Sequence, residues 1–202
     1  VTVPTEYLLK NAPTEVLITK KGPGRLYYRL ALDYARKELN IPAKARGFIV
    51  SRTYEFVDRK DDVSKDNNGV WHFKSGAAIR VKINFVALGA RYHVAMMDPI
   101  PAGAEPINSA LQGSRQTNSY SNVVPFERAR WRIWNWNWYE HQNLRDHQAE
   151  AFASVLWKGN HEFTYMIHAT TPGIFRVPPT KVEEMYAEET FGRSSSEQVI
   201  IE

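Results

Sequence analysis

The chain has 202 residues, of which 43% are hydrophobic and 24% charged, so it can bury a sizeable core and is not disordered as a whole. Its net charge of +4 comes from 26 basic residues interspersed with 22 acidic ones, a pattern without the basic stripe of a nucleic-acid-binding protein. The sequence has no cysteine, which excludes disulfides, cysteine metal sites and thiol nucleophiles. It shows neither a leader-like segment nor an apolar run near 18 residues, so it predicts no membrane insertion.

Hydrophobic and polar residues alternate along several stretches of the chain. In the first of these, Leu26, Tyr28 and Leu30 fall on one face and Tyr27 and Arg29 on the other, which is typical of a half-buried strand. Clusters of Gly, Pro and Asn separate the stretches. The predicted strands are 25–35, 47–57, 77–88, 91–100, 150–157, 161–170 and 196–202. This number of short strands predicts an all-β fold, an antiparallel β-sandwich.

The chain carries no internal repeat, which favours a single domain. It begins at Val1 without a methionine, so we expect this domain to be cut from a larger protein. Residues 1–16 are expected to be a linker or an edge strand from a preceding domain. Residues 102–130, rich in Ser, Asn, Gln and Pro, are expected to form a long surface insertion. At most one or two short helical turns are expected, in 107–111 or between Glu183 and Glu188.

A tryptophan-rich segment, residues 131–138, is one candidate binding surface. Trp134, Trp136 and Trp138 share one side of an extended segment, and Tyr139 follows directly. Exposed indoles beside amides favour a carbohydrate-binding face or a protein hot spot. The alternative is that these rings cover the core of their own domain.

Histidine and glycine patterns give weaker candidates. His141, Asp146 and His147 lie close together in the sequence, but their spacing matches no well-defined zinc pattern. The Gly-Pro-Gly at 22–24 precedes a predicted strand rather than a helix, which favours a tight turn over a phosphate-binding loop. No nucleophile, carboxylate pair or Ser-His pairing indicates catalysis, so neither an enzyme nor a metal or other cofactor is predicted.

The segment KVEEMYAEETFGRS, residues 181–194, places Met185 and Tyr186 side by side among acidic residues that include Glu183 and Glu184. Two apolar side chains in an acidic connection are expected to cover something. They could plug the edge of their own domain, with the acidic residues facing water, or they could cover a surface on a partner.

Long motifs in order along the chain resemble the C-terminal domain of bacterial-type alpha-2-macroglobulins, over about Leu17 to Glu202. They are GPGRLYYRLALDYA, RGFIVSRTYE, YHVAMMDPIPAGAEPINSAL, WYEHQNLRDHQAEAF and YMIHATTPGIFRVPPTKVEEMYAEETFGRS. The resemblance implies a non-enzymatic macroglobulin domain, similar to the receptor-binding domain of the animal proteins. Such a domain belongs to a multidomain protease trap that is periplasmic or extracytoplasmic.

The resemblance also implies partners and a role for the paired Met and Tyr. The domain would pack on the thioester domain and neighbouring macroglobulin domains of the same chain, and the whole protein would trap target proteases. A loop with adjacent Met and Tyr shields the thioester until the bait region is cut, and the matching positions are Met185 and Tyr186. A thioether beside an aromatic ring excludes water, and a lid of this kind is expected to come from a marginally stable part of the fold.

Overall fold

The computed structural model describes residues 13, 15–31, 39–107 and 137–202. The chain separates into two compact units, Val1–Arg36 and Lys37–Glu202. In the first unit, residues 15–31 are exposed and irregular, so the strand predicted over 25–35 is wrong for residues 25–31. Leu26, Tyr28 and Leu30 alternate with polar residues but are largely exposed, because alternation produces a strand only where a neighbour supplies the ladder hydrogen bonds.

In its described parts, the regular secondary structure of the second unit is almost entirely β-strand, which confirms the all-β prediction. The strands are β1 (Lys44–Arg46), β2 (Phe48–Phe56), β3 (Val63–Lys65), β4 (Trp71–Phe73), β5 (Ala78–Ala87), β6 (Arg91–Pro99), β7 (Ala104–Pro106), β8 (His141–Leu144), β9 (Gln148–Leu156), β10 (Gly159–Ala169), β11 (Gly173–Val177), β12 (Lys181–Glu184), β13 (Ala187–Arg193) and β14 (Glu197–Ile201). A 3₁₀ turn at Lys60–Asp62 is the one helical element within these described stretches, and none of their helices could span a membrane.

The strands form three sheets. A six-stranded sheet has the order β1-β13-β12-β6-β9-β8, and two four-stranded sheets have the orders β2-β5-β10-β7 and β11-β14-β4-β3. Neighbours are antiparallel except β14 and β4, which pair in parallel. In β2, Phe48, Val50 and Tyr54 turn into the core while Ile49 and Ser51 face outward. The longest strands therefore follow the predicted period of two.

Two local predictions need correction. Residues 183–188 form no helical turn, because 181–184 and 187–193 pair as the antiparallel strands β12 and β13. Ala104–Pro106, inside the predicted insertion 102–130, pairs with β10 as β7. Residues 108–130 of that insertion lie outside the described residues, as do residues 1–12 and 14 of the predicted linker.

A buried charged cluster joins the three sheets. Arg52 of β2 contacts Asp98 of β6 at 2.7 Å and Glu197 of β14 at 2.9 Å. Its Nη2 donates to the carbonyl of Pro178 at 3.1 Å. Tyr165 of β10 donates its hydroxyl to the second oxygen of Asp98 at 2.7 Å. Burial lowers the pKa of Arg52, but the negative charges around it raise that pKa above its ordinary value, so the guanidinium stays charged.

The same cluster anchors the base of one hairpin. Thr180, just before β12, donates its hydroxyl to Asp98 at 2.6 Å. The Thr180 N–H donates to Ser194 Oγ at 3.0 Å, and the Ser194 N–H donates to the Thr180 carbonyl at 3.0 Å. Both residues are buried. The β12–β13 hairpin is therefore fixed at its base by hydrogen bonds that lead directly to the buried cluster.

Two buried tyrosines near Arg52 provide a matched test of this cluster. Tyr165 donates to Asp98, whereas the hydroxyl of Tyr54 has no hydrogen-bond partner among the described residues. We expect Tyr165→Phe to lower the free energy of unfolding by about 1.5–3 kcal/mol, because a charged acceptor loses its donor. We expect Tyr54→Phe to change it by less than about 1 kcal/mol. Urea denaturation at pH 7 measures both, and equal losses would contradict this account of the cluster.

Candidate functional site

The residues Met185 and Tyr186 lie at the tip of the β12–β13 hairpin. Glu184 and Ala187 are paired across the strands, so these two residues alone form the turn. On its other side β12 pairs with β6, from Lys181 opposite Met97 to Glu184 opposite Val94. The tip is thus the end of an internal strand of the six-stranded sheet rather than a free loop.

The turn departs from the usual chemistry of two-residue hairpins. Such turns favour Asn-Gly or similar pairs with positive φ, whereas His93 is the one non-glycine residue with positive φ in the described ranges. Met185 and Tyr186 therefore turn the chain without left-handed backbone. The β12–β13 register shifts between Glu183 and Glu184, from a partner at Phe191 to one at Ala187. The sequence of this turn therefore breaks a local rule of hairpin chemistry, and such violations are typical of functional sites.

The side chains of the tip are exposed. Tyr186 is 84% exposed and Met185 is 43% exposed. An open groove of about 730 Å³ lies beside the tip, with apolar walls from Ile41, Met185 and Phe191. The tip therefore presents an aromatic ring and a thioether next to a partly apolar groove, and the interpretation in which both residues plug their own domain does not fit Tyr186.

Contacts with the start of β6 hold the tip in place. The Met185 N–H donates to the carbonyl of His93 at 2.9 Å. The ring of Tyr186 packs edge-on against the imidazole of His93, with centroids 5.2 Å apart and planes at 84°. The Tyr92 N–H donates to the carboxylate of Glu184 at 2.8 Å. The segment expected from the sequence to be a marginally stable lid is therefore the hydrogen-bonded end of a hairpin.

The acidic residues Glu183 and Glu184 lie in β12 and not in a solvated loop. Both side chains are only partly exposed, at 18% and 13%. Glu183 forms an ion pair with Lys181, and Glu184 lies 3.7 Å from Arg91 as well as accepting the Tyr92 N–H. Glu184 therefore holds the hairpin to β6, whereas the ion pair of Glu183 lies within β12. Glu188 and Glu189 are exposed.

The tryptophan-rich candidate is described only at its end, since Trp134 and Trp136 lie outside the described residues. Trp138 packs edge-on against Phe85 at 4.8 Å and donates its Nε1–H to the carbonyl of Glu162 at 3.0 Å. Tyr139 packs against Phe163 at 5.3 Å, and burial raises its pKa. Both rings pack against the core of their own domain, and a binding surface over 131–138 stays a prediction.

The histidine candidate lies in the β8–β9 hairpin, where His141, Asp146 and His147 are all exposed. His141 bonds to Asn143 at 3.0 Å and stacks on Phe152. In the described part of the chain, no three His, Asp or Glu side chains come together as metal ligands. Burial raises the pKa of nearby Glu150, but hydrogen bonds from Asn143, Gln148 and Arg145 lower it below its usual range, so this carboxylate has a structural role.

His93 is a residue of the site that the sequence pattern did not reveal. It interrupts the β6–β9 pairing, in which Tyr92 faces Val155 and Val94 faces Ala153. Its φ of 50° is the left-handed conformation, which costs a non-glycine residue about 1–3 kcal/mol. A left-handed residue inside a strand is visible only in the structure, and no motif in the sequence marks it.

A family model of the bacterial alpha-2-macroglobulin MG10 domain matches residues 47–189. The chain is also similar to the Circularly permutated Ras protein 2 of Dictyostelium discoideum, at 27% identity over 98% of this chain and 4% of that protein. It is similar to an alpha-2-macroglobulin homolog from Nostoc, at 24% identity over 93% of this chain and 9% of that protein. The chain thus spans less than a tenth of the length of either relative.

Solved structures of Escherichia coli alpha-2-macroglobulin share the fold. The protein activated by porcine elastase superposes with a TM-score of 0.61 and 21% identity, over 79% of this chain and 13% of that chain. The native protein spanning domain MG7 to the C-terminus superposes with a TM-score of 0.57 and 20% identity, over 79% of this chain and 24% of that chain.

The role of Trp138 in packing generates a paired prediction. We expect Trp138→Ala to lower the free energy of unfolding by roughly 2–4 kcal/mol, because it removes a ring packed on the core and a hydrogen bond. Trp157, which is 72% exposed, is the matched control, and Trp157→Ala should change stability by less than about 0.5 kcal/mol. Thermal and urea unfolding measure both. A negligible loss of stability for Trp138→Ala would contradict the packing role of this ring and favour a binding role.

Proposed function

Because this chain belongs to the bacterial alpha-2-macroglobulin MG10 domain family, we propose that it acts as the C-terminal domain of a protease trap. In this proposal the hairpin tip with Met185 and Tyr186 shields a thioester in a neighbouring domain of the same polypeptide. The chain is a binding and shielding domain without catalytic chemistry of its own. The target proteases are bound by the whole protein.

Two comparisons support the position within the larger protein. The chain matches a small fraction of each relative, as one domain of a multidomain protein would. Its fold is also found in an E. coli structure that runs from domain MG7 to the C-terminus. The first observation fits one domain of a larger polypeptide, and the second fits a position in its C-terminal part.

The observation that carries the shielding role is the exposure of Tyr186 at a rigid strand end. An aromatic ring that is 84% exposed gains free energy when a partner surface covers it, and burial of a Met or aromatic side chain contributes about 1.5–3 kcal/mol. Since Met185 and Tyr186 are adjacent, one contact would bury both. The groove beside Met185 gives the partner surface a place to interlock.

The pairing of β12 with both neighbouring strands also limits how the proposed shield at the hairpin tip would open. Because β12 is hydrogen-bonded to β6 and β13, the tip cannot swing away without breaking sheet hydrogen bonds. Separation of the two domains after bait cleavage removes the cover and leaves this domain unchanged. Water and amines then reach a bond that is stable only while they are excluded.

The proposal predicts that Met185→Ala/Tyr186→Ala accelerates thioester loss in the full-length protein. The expected increase is at least about tenfold, which corresponds to the removal of about 1.4 kcal/mol from the barrier that shielding imposes. The rate of thiol release during methylamine treatment measures it. The double variant should retain its strand content, because both side chains lie outside the core.

Ile174→Ala is the control, because Ile174 is 69% exposed on β11 in a different sheet. We expect this variant to release thiol at the rate of the unmodified protein. Equal rates for the double variant and the control would contradict the shielding role. A protein that releases no thiol at all would have no thioester to shield, and the proposed function would fail with it.

A further inference from the structure

The imidazole and the backbone of His93 make separate contacts with the two residues of the hairpin tip. The carbonyl of His93 accepts the Met185 N–H, and the ring of His93 packs edge-on against Tyr186. Neither contact involves the core of the domain, since His93 is exposed. One residue on a neighbouring strand thus contacts both tip residues.

The backbone contact is made from the left-handed conformation of His93. Tyr92 pairs with Val155 and Val94 with Ala153, so the β6–β9 register is the same on both sides of His93 and no residue is inserted. The pairing is interrupted only at His93, where the backbone is left-handed. We infer that this left-handed backbone helps to set the direction of the His93 carbonyl, which accepts the Met185 N–H one position beyond the β12–β6 pair of Glu184 and Val94.

The identity of the residue indicates that the ring also matters. Glycine adopts a positive φ without steric cost and is the default choice at a left-handed position. Here the position carries histidine, which tolerates the conformation better than most residues but is still strained there. The imidazole meets Tyr186 in the edge-to-face arrangement that aromatic pairs favour, at 5.2 Å between centroids. The contact with Tyr186 is a reason to keep a side chain at this position.

We propose that His93 is the positioning residue of the hairpin tip. Its carbonyl fixes the backbone at Met185, and its ring fixes the direction of the Tyr186 side chain. The proposal rests on the proposed function, because a fixed direction of Tyr186 matters only if this ring has to meet a partner surface. His93 itself touches no reacting atom and acts through Tyr186.

The first experiment follows the tip in this chain by NMR, with Tyr186 ring resonances and amide exchange of Met185 as readouts. His93→Gly keeps the left-handed backbone and removes the ring. We expect the Tyr186 resonances to move toward random-coil values while Met185 exchange stays within roughly threefold of the unmodified chain. His93→Phe restores a ring, and we expect it to return the Tyr186 resonances toward their original positions. Unchanged Tyr186 resonances in His93→Gly would overturn the proposal.

A third variant tests the backbone contact. A β-branched residue disfavours positive φ, so His93→Val should disturb the left-handed backbone and raise Met185 exchange at least roughly tenfold above His93→Gly. Equal exchange of Met185 in the Gly and Val variants, with the fold retained, would show that the left-handed backbone does not hold the tip.

The second experiment compares thiol release on methylamine treatment in the full-length protein. We expect His93→Gly to accelerate release in the same direction as Tyr186→Ala but less, because the ring of Tyr186 is still present. Faster release in Tyr186→Ala with an unchanged rate in His93→Gly would overturn the positioning role and leave the shielding role standing. Unchanged rates in both variants would overturn the shielding role, and the NMR result would then decide the positioning role alone.

Discussion

The ion cluster of Arg52, Asp98 and Glu197 is the constraint on which the arrangement of the domain depends. Each member comes from a different sheet, and the Arg52–Asp98 pair is fully buried. Buried charges have to be compensated by partners, so the three sheets must pack in an arrangement that brings these side chains together. Asp98 also accepts from Thr180, whose backbone is bonded to Ser194 at the base of the β12–β13 hairpin. The same carboxylate therefore joins the sheets and fixes the direction of the hairpin.

The hairpin carries this rigidity outward to an exposed tip. Between base and tip, β12 is bonded to strands on both sides, and at the end Glu184 and Met185 contact Tyr92 and His93 at the start of β6. Met185 and Tyr186 are thus exposed but held in place, which is the condition for a preorganised contact that loses little entropy on docking. In the proposed function, a domain built in this way would uncover its partner by moving as a body, without unfolding of the hairpin.

How much of this could be predicted from the sequence depended on the length of each element. The long strands β2, β5, β6, β9 and β10 show enough alternation to be predicted, whereas strands of three residues such as β3, β4 and β7 are too short for any period. Arg52 did carry a signal, since it falls in phase with Phe48, Val50 and Tyr54. Met185 and Tyr186 were recognised as unusual, but their hairpin lacks the Asn-Gly type of turn, and the left-handed backbone at His93 has no signal in the sequence.

The central claim is that Tyr186 is covered by a neighbouring domain until the protein is cleaved. Hydroxyl-radical footprinting of the full-length protein, before and after proteolysis of the bait region, measures this at the tip itself. The account predicts strong protection of Met185 and Tyr186 in the intact protein and a rise to the level of exposed Trp157 after cleavage. Equal modification of Tyr186 before and after cleavage, at the level of Trp157, would contradict it.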